Sequence, residues 1–594
     1  MPISRRRFLK STAATAAVAS PALRAFASAN PASAQIAIPQ VERMPNIPQP
    51  FKIRDWRQTA IDLDAYAFDL NAKGPHMPLV WIDKTHVNFN EDTFGIYTTI
   101  DDPRAGPLEN KGQYHDAICD LPAVIGATLV GIDKRNQHGR DWVAMCKAYF
   151  GKASGQNVFQ TFERDFSYKV GNALGIDFWV DTLPSMFFAQ LVDQYPHEPQ
   201  FEQLFRINAD QFAKAVSVLK ADPKGFAHQS FNFATMQPYD GVAPMRWLEP
   251  ESSAAFAWLT YMAHAKFADA KYLQAATSAM DALNANTGNP HYACILPFGA
   301  YIAARMNAEQ GTSYDTTRIL NWCFEGGHIC IGGVSAARWG DYDVTGLVQM
   351  YDDRPYLFET FQLASAIVPL VRYDPRTARA VGKWMLNAAS SARLFYPGEL
   401  PDGYQVAADL KSISKNLISY EVLLGRDAKH LTPAEAKLFE TRKGVPFVAA
   451  RDAWDTFSPV TGERYIFPPV SNFSVYSSTS VGIFGAIVSP TSDDKILALD
   501  CLKTDFFHAP AYPTHLYFNP YREDKQIEIA LGSMPVDLYD AVSKRWLKKA
   551  VAGKTTVVLP QDSAALIVQV PAGAITVRKA SKLLAEGVVV DYCA

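Results

Sequence analysis

Helix-like and strand-like hydrophobic patterns occupy separate parts of this chain, and that segregation narrows its possible folds more than any other feature. From about residue 115, apolar positions recur with the spacing of a buried helical stripe: Ala117, Cys119, Leu121, Ala123, Val124 and Ala127, then Trp142, Met145 and Tyr149. Segments 179–194, 199–220, 251–266, 269–284, 292–308, 315–323, 357–371, 375–393 and 412–425 are predicted helices, separated by turns such as Ala285-Asn286-Thr287-Gly288-Asn289-Pro290. Beyond about 465 the pattern shortens and alternates. Leu516–Pro520, Gln526–Leu531, Thr556–Leu559, Ala565–Val570, Ala574–Arg578 and Val588–Tyr592 are predicted strands. Because helices and strands do not alternate, an α/β fold is excluded. The expected fold is mainly α, an (α/α)6-like toroid of helical hairpins followed by a C-terminal antiparallel β-sandwich. No fixed-period repeat marks an open solenoid.

The domains follow from the same pattern. Residues 1–34 are an export leader, 35–110 an irregular or β-containing arm rich in Pro, Asp and Asn, 111–464 the toroid and 465–594 the sandwich. The leader begins Ser4-Arg5-Arg6-Arg7-Phe8-Leu9-Lys10 and ends Ala32-Ser33-Ala34 before Gln35. It resembles a bacterial twin-arginine signal with a signal-peptidase site. That implies the Tat translocase as a partner during export, and a periplasmic or secreted destination. No Cys follows the cleavage site to carry a lipid.

The whole chain has a formal charge of -3, and removing the leader leaves 52 basic and 60 acidic side chains. Neither balance suits a nucleic acid or an anionic membrane as partner. No later apolar run of about 18 residues would give stable membrane insertion. Seven cysteines lack any Cys-x-x-Cys pair. Buried free thiols are expected, with a Cys323–Cys330 bond as the alternative.

In a ring of hairpins the joints at one end converge on a central funnel, so polar joints are the candidate sites. The first runs from Gly175 to Met186, with Trp179 between Asp177 and Asp181; Asp181 either caps its helix or acts in chemistry. The second holds His228, Asn232 and Tyr239 among aromatic residues, a composition suited to hydroxyl-rich ligands. Trp247, Glu249 and Glu251 then precede an apolar helix, where the helix dipole favours carboxylates. The densest stretch runs from Trp322 to Leu347 and carries Glu325, His328, Arg338, Trp339, Asp341 and Asp343 among glycines. Asp341 and Asp343 share a side if this piece is extended and would titrate as a pair. Alternatively, Asp343 caps a helix starting at Val344.

Trp179-Val180-Asp181-Thr182-Leu183-Pro184-Ser185-Met186, followed by Gly225-Phe226-Ala227-His228, resembles pieces of the six-hairpin unsaturated uronyl hydrolases. The resemblance implies an α/α toroid with Asp181 as catalytic acid/base. The family's Trp-x-Arg-Gly-x-Gly-Trp stretch is absent; Trp247-Leu248-Glu249-Pro250-Glu251 stands near its place.

Glycosidic hydrolysis needs one carboxyl group to protonate the leaving oxygen and another to direct water or attack carbon. The expected function is therefore an exported glycoside hydrolase. Asp181, Glu251, Glu325, Asp341 and Asp343 are its candidate catalytic groups. Trp179, His228, Asn232, Tyr239, Trp247, Glu249, His328, Arg338 and Trp339 are its candidate sugar contacts. A polysaccharide lyase would draw on Tyr239, His228, Asn232 and Arg338 instead, and a non-catalytic glycan-binding protein would use the same aromatic rings. No sequence motif indicates a metal or cofactor, and neither is expected.

Overall fold

The computed structural model describes residues 34–73, 77–97, 115–161, 177–240, 248–327, 330–350, 354–404 and 475–594, with residues 418–419, 437 and 440 and short strands between 422 and 466. The leader through residue 33, Trp247 and His328 lie outside the described residues.

Most predicted helices are present. They are α1 (Trp56–Ala67), α2 (Ala117–Leu129), α3 (Phe178–Gln194), α4 (Phe201–Ala221), α5 (Ser252–Phe267), α6 (Ala270–Ala285), α7 (Leu296–Gln310), α8 (Thr316–Glu325), α9 (Leu357–Tyr373), α10 (Ala378–Ser391) and α11 (Val481–Ile487). Their starts are set by short acidic side chains. Asp55, Asp116, Asp269 and Asp315 each accept an amide hydrogen bond from the first turn of the helix they precede.

Which helices touch is decided by which faces are apolar. Helices α3, α5 and α9 are buried almost all round, as expected of elements covered on every side. Helix α2 packs on α3, α3 on α5, α5 on α7, α7 on α9, α9 on α11, and α11 back on α2. Helices α4, α6, α8, α10 and α1 each pack against a member of this succession. The return from α11 to α2 depends on two glycines. A Cβ on Gly126 would stand 2.9 Å from the Gly482 backbone, so only the missing side chains let these helices approach so closely.

Three expectations are corrected by the backbone. Helix α1 crosses the arm that was read as irregular or β, beside strands β1 (Val80–Asp83) and β2 (Thr93–Ile96). Where a helix over 412–425 was expected, Val422–Leu424 is a strand paired with Phe447–Ala449. Helix α11 lies past 465, where only strands were expected. Its run Val-Gly-Ile-Phe-Gly-Ala-Ile is apolar at every position, so no periodicity distinguishes helix from buried strand.

The mid-chain also carries the hairpins β3 (Ser230–Asn232) with β4 (Gln237–Tyr239), and β5 (Arg338–Trp339) with β6 (Tyr342–Asp343). The C-terminal region is rich in antiparallel sheet. Strands β7 (Val488–Pro490), β8 (Leu497–Asp500), β9 (Thr514–Asn519), β10 (Lys525–Ala530), β11 (Val536–Asp540), β12 (Arg545–Val551), β13 (Lys554–Leu559) and β14 (Ser563–Pro571) follow in the sequence. Six of them form one sheet in the order β7-β8-β9-β14-β11-β12, and β10 pairs with β13 as a separate ribbon. Alternation divides the sheet's faces. Tyr517, Ala565, Ile567 and Leu538 pack on Ile527, Ile529, Val557 and Leu559 of the ribbon. Leu516, Phe518, Leu566 and Val568 join the core of the helices. A Cβ on Gly382 of α10 would come 2.7 Å from that of Phe518.

The loop after β8 covers the C-terminal ends of α7 and α9. Fully buried Asp505 accepts hydrogen bonds from Tyr301 (2.6 Å) and Tyr373 (3.0 Å) and pairs with Arg372 and Arg305. The Arg305 guanidinium also donates to the carbonyls of Phe506 (2.9 Å) and Phe507 (2.8 Å).

Candidate active site

At the opposite end, the N-terminal turns of α3, α5 and α9 and the segment leading into α7 bring together acids far apart in sequence. Asp177, Asp181, Glu249, Glu251 and Glu359 are all buried, none more than 8% exposed. Asp177 precedes α3 and accepts hydrogen bonds from the Trp179 indole (2.9 Å) and the Tyr292 hydroxyl (3.3 Å). Tyr292 and Ala293 donate their backbone amides to the two oxygens of Glu251, at 2.9 and 2.7 Å. The charge of Glu251 acts on Glu359, and Glu359 hydrogen-bonds Cys294.

Burial dominates the electrostatics. It pushes Asp181 up to about 8, opposed by the Ser230 hydroxyl that donates to its carboxylate and helped by the nearby Asp177 charge. Burial likewise lifts Glu251 to about 8 against the pull of its amide donors. Glu359 is held well above the usual carboxylate range by burial and by Glu251. A carboxylic acid that keeps its proton near neutral pH can give it to a leaving group.

Asp181 and Glu251 thus belong to one cluster, but they differ in freedom. Both oxygens of Glu251 are committed to the turn that starts α7. Asp181 is held by a single hydroxyl. It is not the capping residue of its own helix, since that position is Asp177, whose side chain makes no cap bond.

The acids between Trp322 and Leu347, which are Glu325, Asp341 and Asp343, are not among these buried groups. Glu325 is exposed at the end of α8. Asp343 pairs with Arg338 (3.1 Å) and accepts the Gln49 amide (2.6 Å), which ties the β5–β6 hairpin to the arm. Asp341 is exposed at the hairpin turn, and its backbone carbonyl accepts from Arg338. No helix starts at Val344, so the expected alternative of Asp343 as a helix cap is corrected. Trp339 is buried. The glycines serve close packing: at φ +75°, a Cβ on Gly326 would lie 1.9 Å from the Gly333 nitrogen.

The second joint is built as a clamp. His228 is buried, with its ring nitrogens 2.6 Å from Asp240 and 3.1 Å from Asp222, and its carbonyl accepts the Glu249 amide. Asn232 accepts from the amides of Ala234 and Thr235 in the β3–β4 turn. Tyr239 pairs with Ser230 across that hairpin, so this joint carries the hydroxyl that holds Asp181.

Sequence reasoning missed Glu359, Tyr292, Cys294 and Cys330 as neighbours of this cluster. The signal that would have found Glu359 is its place in the first turn of its helix, which it shares with Asp181. Cys330 feels the charges of Glu359, Asp177, Glu251 and Glu249. It is a free thiol, as is Cys323, which donates to the Ile319 carbonyl instead of pairing.

Residues 2–22 match the TAT (twin-arginine translocation) pathway signal sequence. The protein is exported. Its destination is the periplasm or the extracellular space, and no helix among the described residues is long and apolar enough to cross a membrane. No curated protein matches the chain in sequence. Among solved structures it is similar to Ara127N-Se, a GH127 beta-L-arabinofuranosidase from Geobacillus stearothermophilus T6. The identity is 10% and the TM-score 0.36, over 91% of this chain and 85% of that one. A second structure, titled glycoside hydrolase, aligns at 8% identity and a TM-score of 0.28 over 79% of each chain.

The raised position of Asp181 predicts a pH signature in stability. The folded protein keeps a proton up to about pH 8 that an unfolded aspartate releases near pH 4. The stabilisation is therefore complete below about pH 4 and is lost as pH rises toward 8. Chemical denaturation at pH 5 and pH 8 should show a smaller decline for Asp181→Asn than for the native protein. Equal declines would mean that Asp181 titrates normally.

Proposed function

We propose that the exported protein is a glycoside hydrolase, and that α2, α3, α5, α7, α9 and α11 form the inner ring of an (α/α)6 toroid with the acid cluster at its mouth. The observation that carries this reading is the convergence of Asp177, Asp181, Glu249, Glu251 and Glu359 at the N-terminal turns of those helices. Asp181, with its proton retained near neutral pH, protonates the departing glycosidic oxygen. Glu359, in the first turn of α9, is the second carboxyl group; it directs water or attacks the anomeric carbon only when ionised, so the active form carries its proton on Asp181 and none on Glu359. Glu251 acts as a positioning residue that fixes the segment carrying Tyr292, and Tyr292 in turn holds Asp177.

Elimination on a uronide receives less support. Of the residues suited to it, His228 has both ring nitrogens on carboxylates and Arg338 is paired with Asp343 on a different hairpin. Incubating the purified mature protein with a broad panel of poly- and oligosaccharides should release reducing ends without unsaturated products. An unsaturated uronide would replace hydrolysis by elimination. Tight glycan binding with no product after long incubation would leave a binding protein.

A further inference from the structure

Near its C-terminus the chain shows water a sheet face that alternation ordinarily makes polar. Strands β15 (Thr576–Lys579), β16 (Lys582–Ala585) and β17 (Val588–Asp591) form a separate antiparallel sheet in the order β15-β16-β17. Residues directly opposite each other on neighbouring strands share a face, and successive residues alternate between faces. Leu583 and Ala585 are buried in the core of the helices. Val577 stands opposite Leu584, on the other face. Ile575, two positions before Val577, accepts the Glu586 amide at 3.1 Å and so continues the same row. Ile575, Val577 and Leu584 belong to neither hydrophobic core. Ile575 is 73% exposed and Val577 58%, more than any other large apolar side chain among the described residues. An antiparallel sheet with one face on a core ordinarily turns a polar face to water, and a row of aliphatic side chains there marks a surface that something covers.

Charge decides what covers it. Between Gly573 and Val590 the charged residues are Arg578, Lys579, Lys582 and Glu586. Glu586 is turned back on the hairpin and accepts the Ile575 amide at 2.9 Å. Lys579 stands opposite Lys582, on the face of Val577 and Leu584. Among the described residues none of the three cations makes an ion pair; the Lys582 ammonium rests 5.3 Å from the centroid of the Tyr592 ring, and the charge of Arg578 acts on Tyr539. The hairpin is therefore basic, although the whole chain carries -3.

A second copy docked face to face would set these cations against their own counterparts, which repel. A polyanionic glycan or an acidic peptide would pair with the cations and leave the aliphatic side chains in water. The boundary of an anionic bilayer satisfies both, with hydrocarbon for Ile575, Val577 and Leu584 and phosphate for Arg578, Lys579 and Lys582. An exported chain meets such a boundary as it leaves the membrane that carries the Tat translocase. We propose that this sheet face seats the exported protein reversibly on an anionic lipid surface, without spanning it. Seating does not depend on the proposed hydrolysis, and glycan cleavage has no bearing on the readouts that test it.

Co-sedimentation of the purified mature protein with vesicles is the test. Phosphatidylcholine vesicles containing about one third phosphatidylglycerol should bind it at low salt about tenfold more tightly than phosphatidylcholine alone. Raising sodium chloride to about 0.5 M should remove most of that preference. Ile575→Ser combined with Val577→Ser should weaken binding to the mixed vesicles about tenfold. Arg578→Glu combined with Lys579→Glu should weaken it by about as much or more. All four side chains are exposed, so both variants should keep the native melting midpoint. Equal binding to both kinds of vesicle, binding to neither, or native binding by either variant overturns the proposal. A concentration-dependent dimer in the absence of lipid, dissolved by the Ser substitutions, would overturn it too by giving the face to a second copy.

Discussion

Asp181→Asn is expected to lower turnover on the cleaved glycan by a factor of about 10²–10⁴ while the circular dichroism spectrum stays native. The side chain is nearly isosteric and can still accept from Ser230, so the fold keeps its contact. What disappears is the proton. Native activity should fall as pH rises through about 8, where Asp181 loses that proton, and this basic limb should vanish with the residue. Glu359→Gln should produce a comparable loss. Glu251→Gln should behave differently, because an amide nitrogen would then face the donors of Tyr292 and Ala293. Its main effect is a loss of about 1–3 kcal/mol in stability. Asp343→Asn, on the β5–β6 hairpin, should leave the pH profile unchanged. Native rates in both Asp181→Asn and Glu359→Gln would remove the acid cluster from the chemistry.

The largest stability effect is expected at the other end of the helices. Asp505→Ala leaves Arg305 and Arg372 buried beside two tyrosine hydroxyls without their shared carboxylate. Removing one partner of such a buried pair typically costs about 3–5 kcal/mol, since the remaining charge cannot be resolvated. The urea midpoint should fall accordingly. Asp505→Asn, which still accepts from the tyrosines, should lose less. A change under about 1 kcal/mol for Asp505→Ala would mean that water reaches the cluster and the loop does not seal it.

The helices were legible where one face is polar. The predicted segment 199–220 became α4 at 201–221, because Phe201, Leu204, Phe205, Phe212, Val216 and Leu219 form a stripe against an exposed face. Helix α11 was illegible because it has no exposed face to give its pattern a period. Strands β11 and β12 escaped for a related reason. Bulges in their pairing interrupt the alternation, and β12 is an edge strand with few buried positions. In the buried acid cluster, Asp181 and Glu251 were legible as candidates because they stand among aromatic residues at helix starts. Asp341 and Asp343 are dense in the sequence but lie outside that cluster. Ion pairing to Arg338 and an amide from the arm account for Asp343, and density along a chain does not measure convergence in space. Glu359 was passed over because it looks like an ordinary first-turn acid until α5 and α7 are folded against it.

The contact between Gly126 and Gly482 also bears on when this protein can leave the cytoplasm. The succession of helices that begins at α2 is completed only by α11, so its last joint waits for a segment made near the end of synthesis. Closing so long a loop costs chain entropy that no local contact repays beforehand, which makes the step slow and late. The Tat route carries chains that are already folded. The contact between these two glycine backbones is therefore one that a precursor bound for the Tat route has to form before it leaves the cytoplasm. A bulky residue at either glycine is expected to leave precursor in the cytoplasm, read as leader-bearing protein in fractionated cells, although the signal and the acid cluster are unchanged.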